Sequence, residues 1–204
     1  MNYKCKVKIS EVTNLSDARY AAAMGFNYIG FCFDNEKSNY IAPIKAKEMI
    51  DWLSGSNIVA EFGNQSIDEI KDISELLQVN AIEVENRILP DELKQLSKAA
   101  IKKIDVCSFS DEELLKELEA YQSVCDAFHL YNSKSYNENE NFLKELCIKN
   151  NIIWNINCSP DTIKIIIEKY NPFAVNIVGE DEEEVGLKDF EVLNNLLEEI
   201  TNSN

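Results

Sequence analysis

At 204 residues, 45% of them hydrophobic and 27% charged, the chain has the composition of a globular protein and room for one sizeable core. Asp and Glu number 36 against 20 Lys and Arg, a net charge of −16, which argues against nucleic acid and anionic membrane surfaces as partners. Six cysteines stand at irregular intervals with no C-x-x-C pair and only one histidine in the chain, His129, so neither a zinc site nor a disulfide framework is expected.

The opening MNYKCKVKIS has no apolar stretch of signal-peptide length, and no window approaches a membrane span. A cytoplasmic protein with its thiols reduced is the expectation, and the Asn-x-Ser triplets at Asn14, Asn64 and Asn157 are read as chance.

In chain order, a strand over Lys4–Ile9 leads through a turn at Ser10–Asn14 into a helix predicted to be capped by Ser16. Phe26–Phe33 is a near-continuous apolar run of strand length, followed by helical spacing over Pro43–Leu53. Ile58–Phe62 precedes a helix over Ser66–Leu77, where Ser66 and Glu69 have capping-box spacing. Ala81–Glu85 precedes a helix from Pro90, and Ile101–Val106 precedes Ser110–Tyr121, where Ser110 and Glu113 repeat that spacing. Cys125–Tyr131, Ile152–Asn157 and Phe173–Val178 complete the strands, each followed by a helix: Asn141–Lys149, a segment capped by Ser159 that runs to Tyr170, and Asp189–Ile200. These are eight strand-then-helix units in about 25-residue steps with no linker between them. Such a pattern predicts a parallel sheet closed as a single (β/α)8, TIM-type barrel over residues 1–204. No strand is followed by G-x-G-x-x-G, which argues against an open dinucleotide-binding sheet.

On KVKI…TNLSDA in the first unit, GFNYIGFCF and NYIAP in the second, FGNQS after the third strand, SP at the seventh helix and GLKD before the eighth, the chain resembles the phosphoribosylanthranilate isomerase family of tryptophan biosynthesis. The resemblance implies an Amadori rearrangement run by a cysteine base ending the first strand and an aspartate acid ending the sixth. Here the Cys-Gly pair falls on Ser10 and Glu11, and the aspartate on Asn132, or on Tyr131 with a different gap. A serine hydroxyl without a base beside it is far too weakly acidic for the thiol's work, and an amide cannot donate the acid's proton. The family's second-loop arginine falls on Asn39 and the histidine after its fourth strand on Glu85. Its phosphate-binding glycines fall on Ile156–Asn157 and Val178–Gly179–Glu180, ahead of the acidic run Asp181–Glu184. Small residues there would let backbone N–H groups reach the oxygens, whereas side chains and like charge oppose a dianion.

Strand parity places Lys6 and Lys8 inside the barrel, with Glu83, Glu85 and Asp105 as their expected partners, since an unpaired buried ammonium is costly. The catalytic face would carry Ser10, Glu11, Glu61, Glu83, Glu85, Asp105, Asn132, Asn155, Asn157 and Asn176, while His129 reads as a partly buried packing residue. A charge-paired interior with no ligand, a site for a cationic or polyol ligand or for a hard metal ion, and a Lys8 nucleophile are the three readings; carboxylates raising its pKa count against the last. The expectation is an isomerase-like paralogue that has lost the base, the acid and the phosphate glycines and binds some other small molecule or a protein partner. The alternative is a genuine isomerase with substituted groups. No cofactor or metal is expected, and a monomer or homodimer is.

Overall fold

The computed structural model describes residues 3–85, 88–131, 140–155, 160–178 and 191–201. Strands and helices alternate as β1 (Lys6–Ser10), α1 (Leu15–Met24), β2 (Tyr28–Cys32), α2 (Pro43–Ile50), β3 (Asn57–Phe62), α3 (Ile67–Leu77), β4 (Ala81–Val84) and α4 (Pro90–Leu93). The second half is β5 (Ala99–Asp105), α5 (Asp111–Tyr121), β6 (Ala127–Tyr131), α6 (Glu140–Lys149), β7 (Ile152–Asn155), α7 (Pro160–Tyr170), β8 (Ala174–Val178) and α8 (Glu191–Ile200). The eight strands pair in sequence order, all parallel, and β1 closes on β8 from Lys6↔Ala174 to Ser10↔Val178. This is a single (β/α)8 barrel, closed as the alternating pattern requires.

Helix starts follow local chemistry with one correction. Ser66 and Ser110 each form a full capping box with Glu69 and Glu113. The first helix, however, is capped by Asn14, whose side chain accepts from the Asp17 backbone N–H, rather than by Ser16. Asn14 reaches the third amide of the helix as well as a serine would, and taking it as the cap lengthens the helix by a turn fraction. The predicted cap Ser159 lies outside the described residues.

Two apolar layers hold the barrel. The larger lies between sheet and helices and includes Val7, Phe31, Ile82, Leu130, Trp154 and Val175. The smaller plugs the barrel axis with Val59, Ala81, Ile101, Ala127, Ile153 and Ala174, against Tyr28 and Phe173. Because side chains alternate along a strand, the next inward positions toward the strands' C-terminal ends are Lys8, Gly30, Glu61, Glu83, Lys103, His129, Asn155 and Asn176. The axis therefore passes from apolar side chains to an ionic set toward the strands' C-terminal ends.

Gly30 is what lets that ionic layer fit. A Cβ there would lie 2.0 Å from Glu61 Oε1, so only glycine leaves space for the carboxylate to cross the barrel. Gly30→Ala is expected to lower stability by about 1–3 kcal/mol, an overpacking cost, read from the urea midpoint. An unchanged midpoint would mean that Glu61 has another place to go.

Candidate functional site at the barrel mouth

The ionic layer is built around Lys8, fully buried on β1. Its Nζ lies 2.5 Å from Glu61 Oε1 on β3 and 3.1 Å from Glu83 Oε2 on β4, and it donates to Ser10 Oγ. Burial by itself would lower this ammonium, but the two carboxylates outweigh it and hold its pKa above the ordinary lysine value. A Schiff-base role for Lys8 is thereby opposed. The partners differ from those expected: Glu83 serves, Glu61 joins it, and neither Glu85 nor Asp105 contacts Lys8. Asp105 instead accepts from the Cys107 backbone N–H and opens a short 3₁₀ turn over Val106–Ser108. Lys6 sits at the other end of the barrel, its Nζ 3.9 Å from the Phe173 ring centroid and 3.4 Å from the Tyr28 hydroxyl, a cation over an aromatic face.

Above Lys8 opens a cavity of about 300 Å³ lined by Ser10, Glu11, Lys37, Glu85, Lys103, His129, Tyr131, Asn155, Asn176 and Val178, at the small end of ligand sites. Ser10 is pinned at its wall: buried, taking a hydrogen bond from Lys8 Nζ and donating to Asn176 Oδ1 at 2.8 Å. Asn176 Nδ2 donates in turn to Asn155 Oδ1 at 2.8 Å. Glu11 follows in a left-handed conformation, φ 61°, which strains a side chain that glycine would not have. It is held there because its N–H donates to Glu61 Oε2 (3.0 Å), its Oε2 accepts from Asn39 Nδ2 (2.8 Å), and its Oε1 lies 3.4 Å from Lys103 Nζ. Burial would raise the Glu11 carboxyl, but Lys103, Asn39 and Lys37 prevail and hold it below the usual range.

Glu85 pairs with Lys37 and lies 3.4 Å from Lys103 Nζ. Burial opposes the Lys103 charge, but Glu83, Glu61, Glu11 and Glu85 together raise its pKa well above normal. Its ammonium also stands 5.1 Å from the Tyr131 ring centroid. The Tyr131 hydroxyl is pushed up by burial and by Glu85 and Asp105, away from the range a neutral-pH acid needs.

Of the positions singled out in the sequence, Ser10, Asn39 and Glu85 come together around this cavity, Asn39 through Glu11. Asn132, Asn157 and Gly179 lie outside the described residues. Two groups were missed. Lys37 and Lys103 carried no motif, though the parity that placed Lys8 inside would have placed Lys103 there too. His129 is no partly buried packing residue: it is 1% exposed, its Nδ1 lies 3.0 Å from Glu83 Oε2, and it lines the cavity. No described cysteine lines the cavity. Cys32, nearby, is pushed up to about 11 chiefly by burial, the direction that makes a thiol inert. Among the described residues no cluster of three or more His, Cys, Asp or Glu is placed to hold a metal ion.

The family model for N-(5'-phosphoribosyl)anthranilate isomerase matches residues 7–199. The chain belongs to the phosphoribosylanthranilate isomerase family. Curated relatives of that name include one from Rubrobacter xylanophilus, 24% identical over 92% of this chain and 95% of its own, and one from Aquifex aeolicus, 28% identical over 91% and 93%. Among solved structures, phosphoribosylanthranilate isomerase from Thermotoga maritima superposes with a TM-score of 0.82 at 21% identity, covering 96% of this chain and 98% of that one. That protein is described both as a dimer and as monomers generated from it. No helix among the described residues is long and apolar enough to cross a membrane.

Proposed function

We propose that this isomerase-family barrel uses its mouth to bind a small polyol and does not catalyse the Amadori rearrangement efficiently by the family's thiol and carboxyl pair. The observation that carries this reading is Ser10, a hydroxyl bonded on both sides at the position where the family's base belongs. Its neighbour Lys8 is a charged donor and its other partner an amide oxygen, so among the described residues it bonds to no general base. The described lysines of the mouth, Lys37 and Lys103, already face carboxylates, and a phosphate dianion would have to break those pairs to be held. Asn157 and Glu180, at the positions of the family's glycines, add to that difficulty. Hydroxyls and amides of Ser10, Tyr131, Asn155 and Asn176 around the cavity suit a ligand rich in hydroxyl groups instead.

The relatives' names favour a second reading, a genuine isomerase using other groups. Its candidate base is the Glu11 carboxylate, strained into the mouth. The two readings part in an assay of the purified protein with phosphoribosylanthranilate. Conversion at no more than the uncatalysed rate is expected, with a small gain in a Ser10→Cys/Glu11→Gly variant, whose thiol would sit beside the Lys8 ammonium. Turnover by the wild type would defeat the first reading in favour of the second, and its loss in Glu11→Gln would then identify the base.

A further inference from the structure

His129 stands in the middle of β6, paired in register with Lys103 and Ile153 on the strands either side. Its Nδ1 is bound to Glu83, but its Nε2 is buried and, among the described residues, has no hydrogen-bond partner, as is true of Glu83 Oε1. Burial works against ionisation of Glu83, yet the His129 N–H and the Lys8 ammonium hold that carboxyl well below its usual range. An ionised carboxylate only accepts hydrogen bonds, so Nδ1 must carry the proton and Nε2 must present a lone pair. Burial also lowers the imidazole pKa, against the pull of Glu83 and with the help of Lys8 and Lys103, which keeps the ring neutral. The result is a fixed, buried acceptor on a residue that lines the mouth cavity, where an acceptor without a donor is costly.

Resting on the reading of the mouth as a ligand site, we propose that His129 Nε2, locked in one tautomer by Glu83, is the acceptor for a ligand hydroxyl at the floor of the cavity. The surroundings select that group over its competitors. An ammonium would meet the Lys8 and Lys103 charges in the same layer, an anion would meet the Nε2 lone pair and Glu83, and an ether or carbonyl oxygen brings no proton. A neutral hydroxyl satisfies the nitrogen at no electrostatic cost. Sites that leave a buried polar group unpaired when the ligand lacks its partner discriminate sharply, so His129 would make the mouth selective for polyols over their deoxy counterparts.

Because His129 is the sole histidine, ¹⁵N-histidine labelling reports it alone. The expected spectrum at neutral pH is a neutral ring protonated at Nδ1. Millimolar ribitol, a neutral polyol, is expected to move the Nε2 signal upfield with little change at Nδ1. In Glu83→Gln the two tautomers are expected to mix and the response to shrink, while the wild-type tautomer and response stand as evidence even if that variant folds poorly. A wild-type ring protonated at Nε2 overturns the proposal. So does a probe that shifts the side-chain amides of Asn155 and Asn176 and leaves Nε2 unmoved, an outcome that keeps the mouth as a ligand site. Probes that move neither set defeat the ligand-site reading along with it.

Discussion

Lys8→Met is expected to lower the stability of the barrel by about 3–5 kcal/mol, the cost of leaving buried carboxylates without their counter-ion. For a chain of this size that is a fall of roughly 6–20 °C in melting temperature. The size of the effect comes from geometry: Lys8 is fully buried, and both Glu61 and Glu83, themselves buried, point at its one nitrogen. Methionine matches the length of the side chain, so the loss is electrostatic rather than a cavity. Adding Glu61→Gln to Lys8→Met is expected to restore part of the loss, because Glu83 keeps the His129 N–H as a partner while the second stranded charge is removed. A Lys8→Met protein that melts within about 1 kcal/mol of the wild type, the range of an ordinary surface change, would show that the layer is solvated well enough not to need the lysine.

The second large effect is on the dependence of stability on acid. His129 titrates lower when folded than its ordinary 6.5, through burial, so below that pH the unfolded chain binds a proton that the native one refuses, and stability falls as pH falls. Glu83 and Glu11 are carboxyls whose folded pKa lies below the ordinary 4.5; their contribution is whole above that value and is lost as pH drops through the folded values. Lys8, Lys37 and Lys103 are raised above 10.5, so what they contribute is present below that pH and lost only in strong alkali. The sum predicts a plateau from about pH 7 to pH 10 and a loss toward acid that approaches ~1.4 kcal/mol per pH unit for each proton taken up. The loss that begins below about pH 6.5 belongs to His129. Urea midpoints measured near pH 7 and near pH 5 should separate in the wild type and draw together in His129→Gln. Equal separation in the two proteins would mean that the imidazole is charged in the folded state, which would also contradict the acceptor assigned to Nε2.

The arrangement of the mouth rests on the same layer. Lys8, Glu61 and Glu83, with the neutral His129 ring bound to Glu83, form one polar set beneath Ser10, and Glu11, Asn39, Lys37, Glu85 and Lys103 form another above it. The upper set is kept in place by a residue with strained backbone, Glu11. Strain of that kind persists only where surrounding contacts fix it, and the contacts here are the ones that fill the mouth.

The amino-acid sequence by itself determined the alternation of strands and helices and the helix starts at Ser66 and Ser110, because periodicity and capping are local properties of the chain. It also placed Lys8 inside, since parity along a strand is fixed once the strand is known. Partners could not be read the same way. Glu61 stands 53 residues from Lys8, and Glu83 stands 46 from His129, distances over which no local pattern acts. Which carboxylate met which cation was decided by the shear of the closed barrel and by the space that Gly30 leaves. For the same reason His129, unremarkable in its strand, became a buried partner of Glu83 at the edge of the cavity only when eight strands closed around it.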